Sequence, residues 1–320
     1  MRALADLSID APERQAIRSG GVLRALRVRT ALPAAAASTW WFVLPALALY
    51  AFIVLVPTVR GSYYSFTNWD GLNPVLHFVG WDNFTAIVHD EAARGAIKHT
   101  VLIAVAITII QNAIGLLLAL GVHSQIKSKY VLRVALFAPA VMTPVVIAYL
   151  WQYLYTPDGA INRGLGAVGL GSLEQGWLGD PSLALWCIVA VIVWQFAGYS
   201  MVIFLAGLQG IPPEITDAAA VDGAGAFRRF WYVTRPMIAP AITVNLMLSI
   251  IGGLKLFDQV WVLTGGGPGY ATETLSTLIY RDAFQFGEFA YSTALALLLT
   301  VFVAVVSGAQ YRLLRRQEYA

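Results

Sequence analysis

The sequence predicts an all-α, polytopic membrane protein with six transmembrane helices. Composition gives the first reason. Of 320 residues, 58% are hydrophobic and only 12% are charged, against roughly 45–50% and about 25% in a soluble domain. That is too little charge to coat a water-facing surface, and the mean hydropathy is +0.67. The second reason is six apolar runs on the scale of the ~20 residues a crossing helix needs. These runs are continuous rather than alternating, which argues against a β-barrel. The third reason is the distribution of Lys and Arg, set out below. Together these exclude a disordered chain, a disulfide scaffold and an ordinary cytosolic enzyme.

The N-terminal segment, 1–38, mixes charge with Ser and Gly and reads as a cytoplasmic tail, with a short amphipathic helix over 22–29. It is not read as a signal peptide, because its basic stretch is too long and the apolar run that follows is long enough to span. The predicted spans cover about 40–59, 101–122, 133–155, 183–208, 237–263 and 291–311. They make one six-helix transmembrane domain over 39–314, followed by a short tail, 315–320. The single cysteine, Cys187, lies inside an apolar run and is a small buried hydrophobe. The segment between the first two spans contains Tyr63, Tyr64, Trp69 and Trp81, which read as an interfacial aromatic belt.

Fifteen of the 21 basic residues fall in the N-terminal segment, the 2–3 and 4–5 connections and the C-terminus. Five (Arg60, Arg94, Lys98, Arg163, Arg281) fall on the other side, and Lys255 lies within the fifth run. The positive-inside rule then places both termini in the cytoplasm. The net charge of +3 is accounted for by membrane-flanking residues and does not call for nucleic acid. The four histidines make no metal-ligand spacing, and the chain lacks the Gly-x-x-x-x-Gly-Lys-Ser/Thr phosphate loop. The Gly265–Gly269 run has no Lys and reads as a turn at a helix end.

The 4–5 connection, 210–236, is the most informative stretch. Pro212 and Pro213 suit a helix start, and Glu214 and Asp217 suit its first turns through the helix dipole. Ala218, Ala219 and Ala220 are strong helix formers without bulk, so another backbone could approach them closely. Gly223 suits the left-handed position that ends a helix. Phe227, Phe230 and Trp231 then make an apolar face at helical spacing. On pattern alone this is equally an amphipathic connector lying on a membrane.

The segment also resembles the EAA loop of binding-protein-dependent ABC importer permeases. That motif runs Glu-Ala-Ala, three residues, Gly, nine residues, Ile-x-Leu-Pro. Here Asp217-Ala218-Ala219, three residues, Gly223, nine residues and Val233-Thr234-Arg235-Pro236 keep its spacing. Asp217, Val233 and Arg235 depart from its residue types. The resemblance runs over nearly the whole chain from Tyr63 and is closest to the sugar permeases of maltose and glycerol-phosphate type. The residues 65–71 (SFTNWDG), 157–162 (PDGAIN) and 257–275 (FDQVWVLTGGGPGYATETL) carry it. The last of these marks the first permease subunit of that group.

The resemblance implies a type I importer fold in a bacterial or archaeal plasma (inner) membrane. It implies a heterodimer with a second permease subunit, two ATPase subunits below and an external solute-binding protein above. The chain would form half of a sugar pathway and would not be an enzyme. It would bind no cofactor, ATP and Mg being held by the ATPases. Asp217, Ala218, Ala219, Asp222 and Gly223 would couple to the ATPase. Substrate-pathway positions would be Gln195, Phe196 and Tyr199 on the fourth span and Gly252, Gly253 and Leu256 on the fifth, with Ala140 and Pro144 on the third. Of these, Gln195 and Tyr199 offer an amide and an aromatic face to a sugar, or else serve helix packing.

Lys255 and Asp258 lie three apart and, on one helix, would pair with each other. Glycerol phosphate or another polar solute is the alternative cargo; a phosphate would want cationic groups along the pathway, and Lys255 is the one basic residue well inside a span, which argues against it. An ion-coupled secondary transporter would want acidic residues near mid-span, and the first four spans have none. An intramembrane enzyme would need a dyad or metal cluster at that depth, and none is apparent.

Overall fold

The computed structural model describes residues 32–124 and 127–318, with side chains over 41–124 and 127–314. Of the predicted tail over 1–38, residues 1–31, with the helix expected at 22–29, lie outside the described residues, and 32–38 are not tail but the first turns of a helix, whose run of alanines favours that state. The chain divides into two compact units after Arg60.

The described part of the first unit is one apolar rod. Helix α1 (Leu32–Tyr50) continues through a π-helical turn, Ala51–Leu55, into α2 (Val56–Tyr64), whose last residues belong to the second unit. None of its described side chains is buried, and Phe42, Phe52 and Ile53 are exposed. An apolar surface of this kind requires lipid or another helix around it.

The second unit contains α3 (Asp82–His89), α4 (Glu91–His123), α5 (Lys129–Val141), α6 (Pro144–Leu154), α7 (Ala160–Ala167), α8 (Pro181–Gln209), α9 (Pro213–Val221), α10 (Ala226–Arg229), α11 (Arg235–Met237), α12 (Ala239–Leu254), α13 (Asp258–Leu263), α14 (Leu275–Phe284) and α15 (Phe289–Glu318). Among the described residues, four helices are long and apolar enough to cross a membrane, and six crossings result if each of two bent pairs is one span.

Helices α4 and α8 form the centre. They pack closely because small residues meet: a side chain on Gly115 would sit 2.5 Å from the Ser200 side chain. Likewise a Cβ on Gly198 would fall 1.9 Å from the Leu136 carbonyl of α5, and one on Gly253 of α12 would fall 2.7 Å from the Ala104 Cα of α4. Such approaches supply van der Waals contact where no hydrophobic drive exists between helices in lipid. Ile103, Ile107, Ile147, Ile188 and Val260 fill the largest buried cluster.

Two predicted spans are not single rods. The third is broken at Met142–Thr143, and α5 and α6 diverge by 97°. Pro144 holds Thr143 extended, as a proline does to the residue before it. The fifth enters through a 73° bend between Ala226–Met237 and α12, and it stops at Leu254 rather than reaching residue 263. Gly252 and Gly253 weaken its last turn, and the chain runs irregularly through Lys255–Phe257 before α13.

Candidate functional site

Two places combine exposure with organised chemistry, one at each end of α12. The first is the connection between α8 and α12. Pro213 opens α9 at its first position, and Glu214 stands in its first turn. The helix ends on Gly223, whose φ of +75° is the left-handed conformation expected from sequence. The Gly223 amide donates to the Ala220 carbonyl (3.1 Å) and the Ala224 amide to the Ala219 carbonyl (3.0 Å). That pattern satisfies the final carbonyls of the helix.

No residue of α9 is buried; Asp217, Ala218, Asp222 and Gly223 are exposed and Ala219 is half-buried. Past the break, the Phe227 ring meets Trp231 edge-on, and the Arg235 guanidinium lies 5.0 Å over the Trp231 ring. Arg235 thus keeps an aromatic contact where the EAA motif has leucine. Val221 and Tyr232 are more than 80% exposed. The element is capped at its C-terminal end and uncovered.

The second place is a cavity of about 380 Å³, half-way along α4 and α8 and closed by α12 and the break after it. Five of the six sequence-predicted pathway residues line it: Phe196, Tyr199, Gly252, Gly253 and Leu256. Pro144 lines it as well, whereas Ala140 is not among the lining residues. Gln195 is fully buried and outside the lining; its amide donates to the Met142 carbonyl (3.2 Å) and accepts from Gln259 Nε2 (3.1 Å). It therefore ties the broken third span to α13.

Lys255 and Asp258 both reach this cavity, but they do not form the ion pair expected for two residues three apart on a helix. The helix has ended at Leu254, so the spacing that would bring them together is lost.

Sequence reasoning missed the polar seam beside the cavity. Gln111 Nε2 donates to Ser200 Oγ (2.8 Å), Asn112 Nδ2 donates to the Thr108 carbonyl (2.7 Å) and to Ser249 Oγ (2.8 Å), and Asn245 Nδ2 donates to the Ser200 carbonyl (3.3 Å). The amide N–H groups link α4, α8 and α12, and Gln111 and Asn245 are also among the residues that line the cavity. The signal was present: amides in the second and fifth apolar runs, each costly in lipid unless partnered.

A buried brace stands beyond the break. Arg281 pairs with Glu273 and its guanidinium lies 4.4 Å over the Tyr270 ring. Thr274 Oγ1 donates to the Leu256 carbonyl (3.2 Å), and the Leu275 amide donates to Thr100 Oγ1 (2.9 Å). Burial, against the pull of Arg281, pushes the neighbouring Asp282 carboxyl up to about 6, with Glu288, Asp90 and Glu273 adding to the rise.

The family described as "Binding-protein-dependent transport system inner membrane component" matches residues 111–319. The chain is similar to the multiple sugar-binding transport system permease protein MsmF of Streptococcus mutans, 34% identical over 87% of this chain and 96% of that protein. It is similar to the lactose transport system permease protein LacF of Rhizobium radiobacter, 33% identical over 87% of this chain and 94% of that protein. The fold matches a chain in the crystal structure of a bacterial alginate ABC transporter in complex with an alginate pentasaccharide-bound periplasmic protein. That match has a TM-score of 0.77 at 22% identity, over 88% of this chain and 94% of that one.

Proposed function

Because the chain belongs to the family of binding-protein-dependent transport system inner membrane components, we propose that it is a permease subunit importing a neutral di- or oligosaccharide. In this reading it forms half of the pathway with a second permease subunit. Two ATPase subunits hold ATP and Mg, and an external binding protein delivers the solute. Both termini and α9 face the cytoplasm, and the end carrying α3, α7 and α14 faces outward.

The observation that carries the reading is the position of α9. The exposed element that would grip the ATPase leads directly, through α8 on one side and α12 on the other, into the two helices that wall the cavity. A displacement of α9 is therefore a displacement of the cavity wall. The wall suits a sugar: Phe196, Tyr199 and Phe257 bring aromatic rings to it, and Gln111 and Asn245 bring amide groups. The carboxylate of Asp258 balances Lys255, which weakens the case for a phosphorylated solute.

The test is reconstitution. The chain, its second permease, the ATPase and the binding protein are placed in proteoliposomes, and uptake of labelled disaccharides is measured. Uptake is expected only with all components and ATP. Transport by the isolated chain, or α9 labelled from the outside, would overturn the proposal.

A further inference from the structure

Six half-buried or exposed rings lie in contact from the cavity outward. Phe257, which lines the cavity, stacks on Trp261 (5.7 Å between centroids), and both meet Tyr280 (5.4 and 4.8 Å). Tyr280 meets Phe284 (5.1 Å), Phe284 meets Phe289 (6.0 Å), and Phe289 meets Trp69 (5.8 Å). Sequence alone assigned Trp69 to an interfacial belt. A belt places rings independently at one depth, whereas these join end to end.

They come from five separate places: the break after α12, then α13, α14, the start of α15, and the loop before α3. Helical spacing supplies the Phe257–Trp261 and Tyr280–Phe284 neighbours, and tertiary packing joins these pairs to each other and to Phe289 and Trp69. The rings are also not core. Phe284 is 69% exposed and Tyr280 38%, and none is among the fully buried large side chains. The Glu273–Arg281 pair and the Thr274–Leu256 bond fix the loop that brings α13 and α14 together.

We infer that this row is a second, extended sugar-binding surface, a lane of ring faces along which the pyranose units of an oligosaccharide stack between the outer face and the cavity. The inference rests on the transport reading above. Continuity with the cavity argues for a solute as occupant rather than a lipid or a partner subunit. The apolar faces of pyranose rings meet aromatic faces, which is the contact such a lane supplies.

The test uses the reconstituted complex with its binding protein. Uptake is measured for labelled di- to pentasaccharides of glucose, galactose and N-acetylglucosamine. Phe284→Ala and Phe284→Leu are compared with Phe284→Tyr, and Tyr280→Leu with wild type. Loss of one ring should lower uptake of the longest saccharides by about tenfold and of disaccharides by much less, since a short solute need not occupy the lane. Phe284→Tyr should restore uptake, and complex yield should not change.

Full uptake in Phe284→Leu would overturn the inference, because an apolar side chain without a ring would then suffice, as at a lipid belt or a subunit contact. An equal loss for every saccharide length would overturn it too. Wild-type complex that moves none of these saccharides would fail the transport reading itself, and the lane with it.

Discussion

Replacing Gly223 isolates the geometry of α9 from its chemistry. Its φ is +75°, and a Cβ built there meets no atom within 4 Å. The cost of a larger residue is therefore one of backbone conformation, not collision. An L-residue held left-handed costs about 1–2 kcal/mol, which lowers the population of the native break by a factor of about 5–30. Asparagine tolerates this conformation better than alanine and should cost less. Proline fixes φ near −65° and removes the amide that bonds the Ala220 carbonyl, so its cost should reach about 3 kcal/mol or more. Uptake and binding-protein-stimulated ATP hydrolysis should thus fall in the order Gly, Asn, Ala, Pro. Because no side chain of α9 is buried, co-purification of the second permease should survive in all four. Wild-type uptake by Gly223→Pro, or Asn as damaging as Pro, would refute the argument.

Two neighbouring glycines should behave oppositely. A Cβ on Gly252 meets nothing within 4 Å, whereas one on Gly253 meets the Ala104 Cα at 2.7 Å. Gly252→Ala should leave complex yield unchanged or improved, while Gly253→Ala should cost about 1–3 kcal/mol through overpacking, read as a lower melting temperature. Asp282 makes a pH prediction. Its folded pKa of about 6 lies above its ordinary 3.8, so between those values the folded protein holds a proton that the unfolded chain has lost. Its contribution is most favourable below pH 4, declines as pH rises to about 6 and stays unfavourable above that, by up to about 3 kcal/mol. Asp282→Asn should raise the melting temperature at pH 7.5 and flatten its dependence over pH 4–6.5; an unchanged profile would count against burial as the cause.

The fold was legible wherever one apolar run is one straight helix. α8 begins two residues before its predicted span and ends one residue after it, because nothing in 181–209 interrupts helical hydrogen bonding. The third and fifth runs look equally apolar, yet Pro144 and the Gly252-Gly253 pair end helices inside them. Hydropathy counts side chains and does not register a missing amide or a permissive backbone. The connection at 210–236 could be read in detail because its signals are local: prolines at the start, glycine at the break.

The cavity was legible only in part. Five of six positions meet there, but the rotation of α8 that buries Gln195 while leaving Phe196 and Tyr199 on the wall depends on how α5 seats against Gly198. Periodicity gives a helix its faces without saying which neighbour each one meets. The same limit hid the partners of Gln111, Asn112 and Asn245, and it hid the aromatic row altogether.

An importer must change shape in every cycle, which sets a limit on how strongly the seam around the cavity can hold. Asn112 and Ser249 join α4 to α12 through one bond of 2.8 Å, and Gly253 lets the same helices slide at close range over Ala104. Side-chain bonds between helices in a membrane average only about 0.6 kcal/mol and reach about 1.7 at most. A seam of such bonds aligns the helices without locking them. A double-mutant cycle of Asn112→Ala and Ser249→Ala, read by thermal unfolding of the assembled complex, should therefore give a coupling of about 0.6 kcal/mol. A value well above about 2 kcal/mol would mean that α4 and α12 move as one body. The moving interface would then have to lie elsewhere, with the break at Lys255–Phe257 as the next place to look.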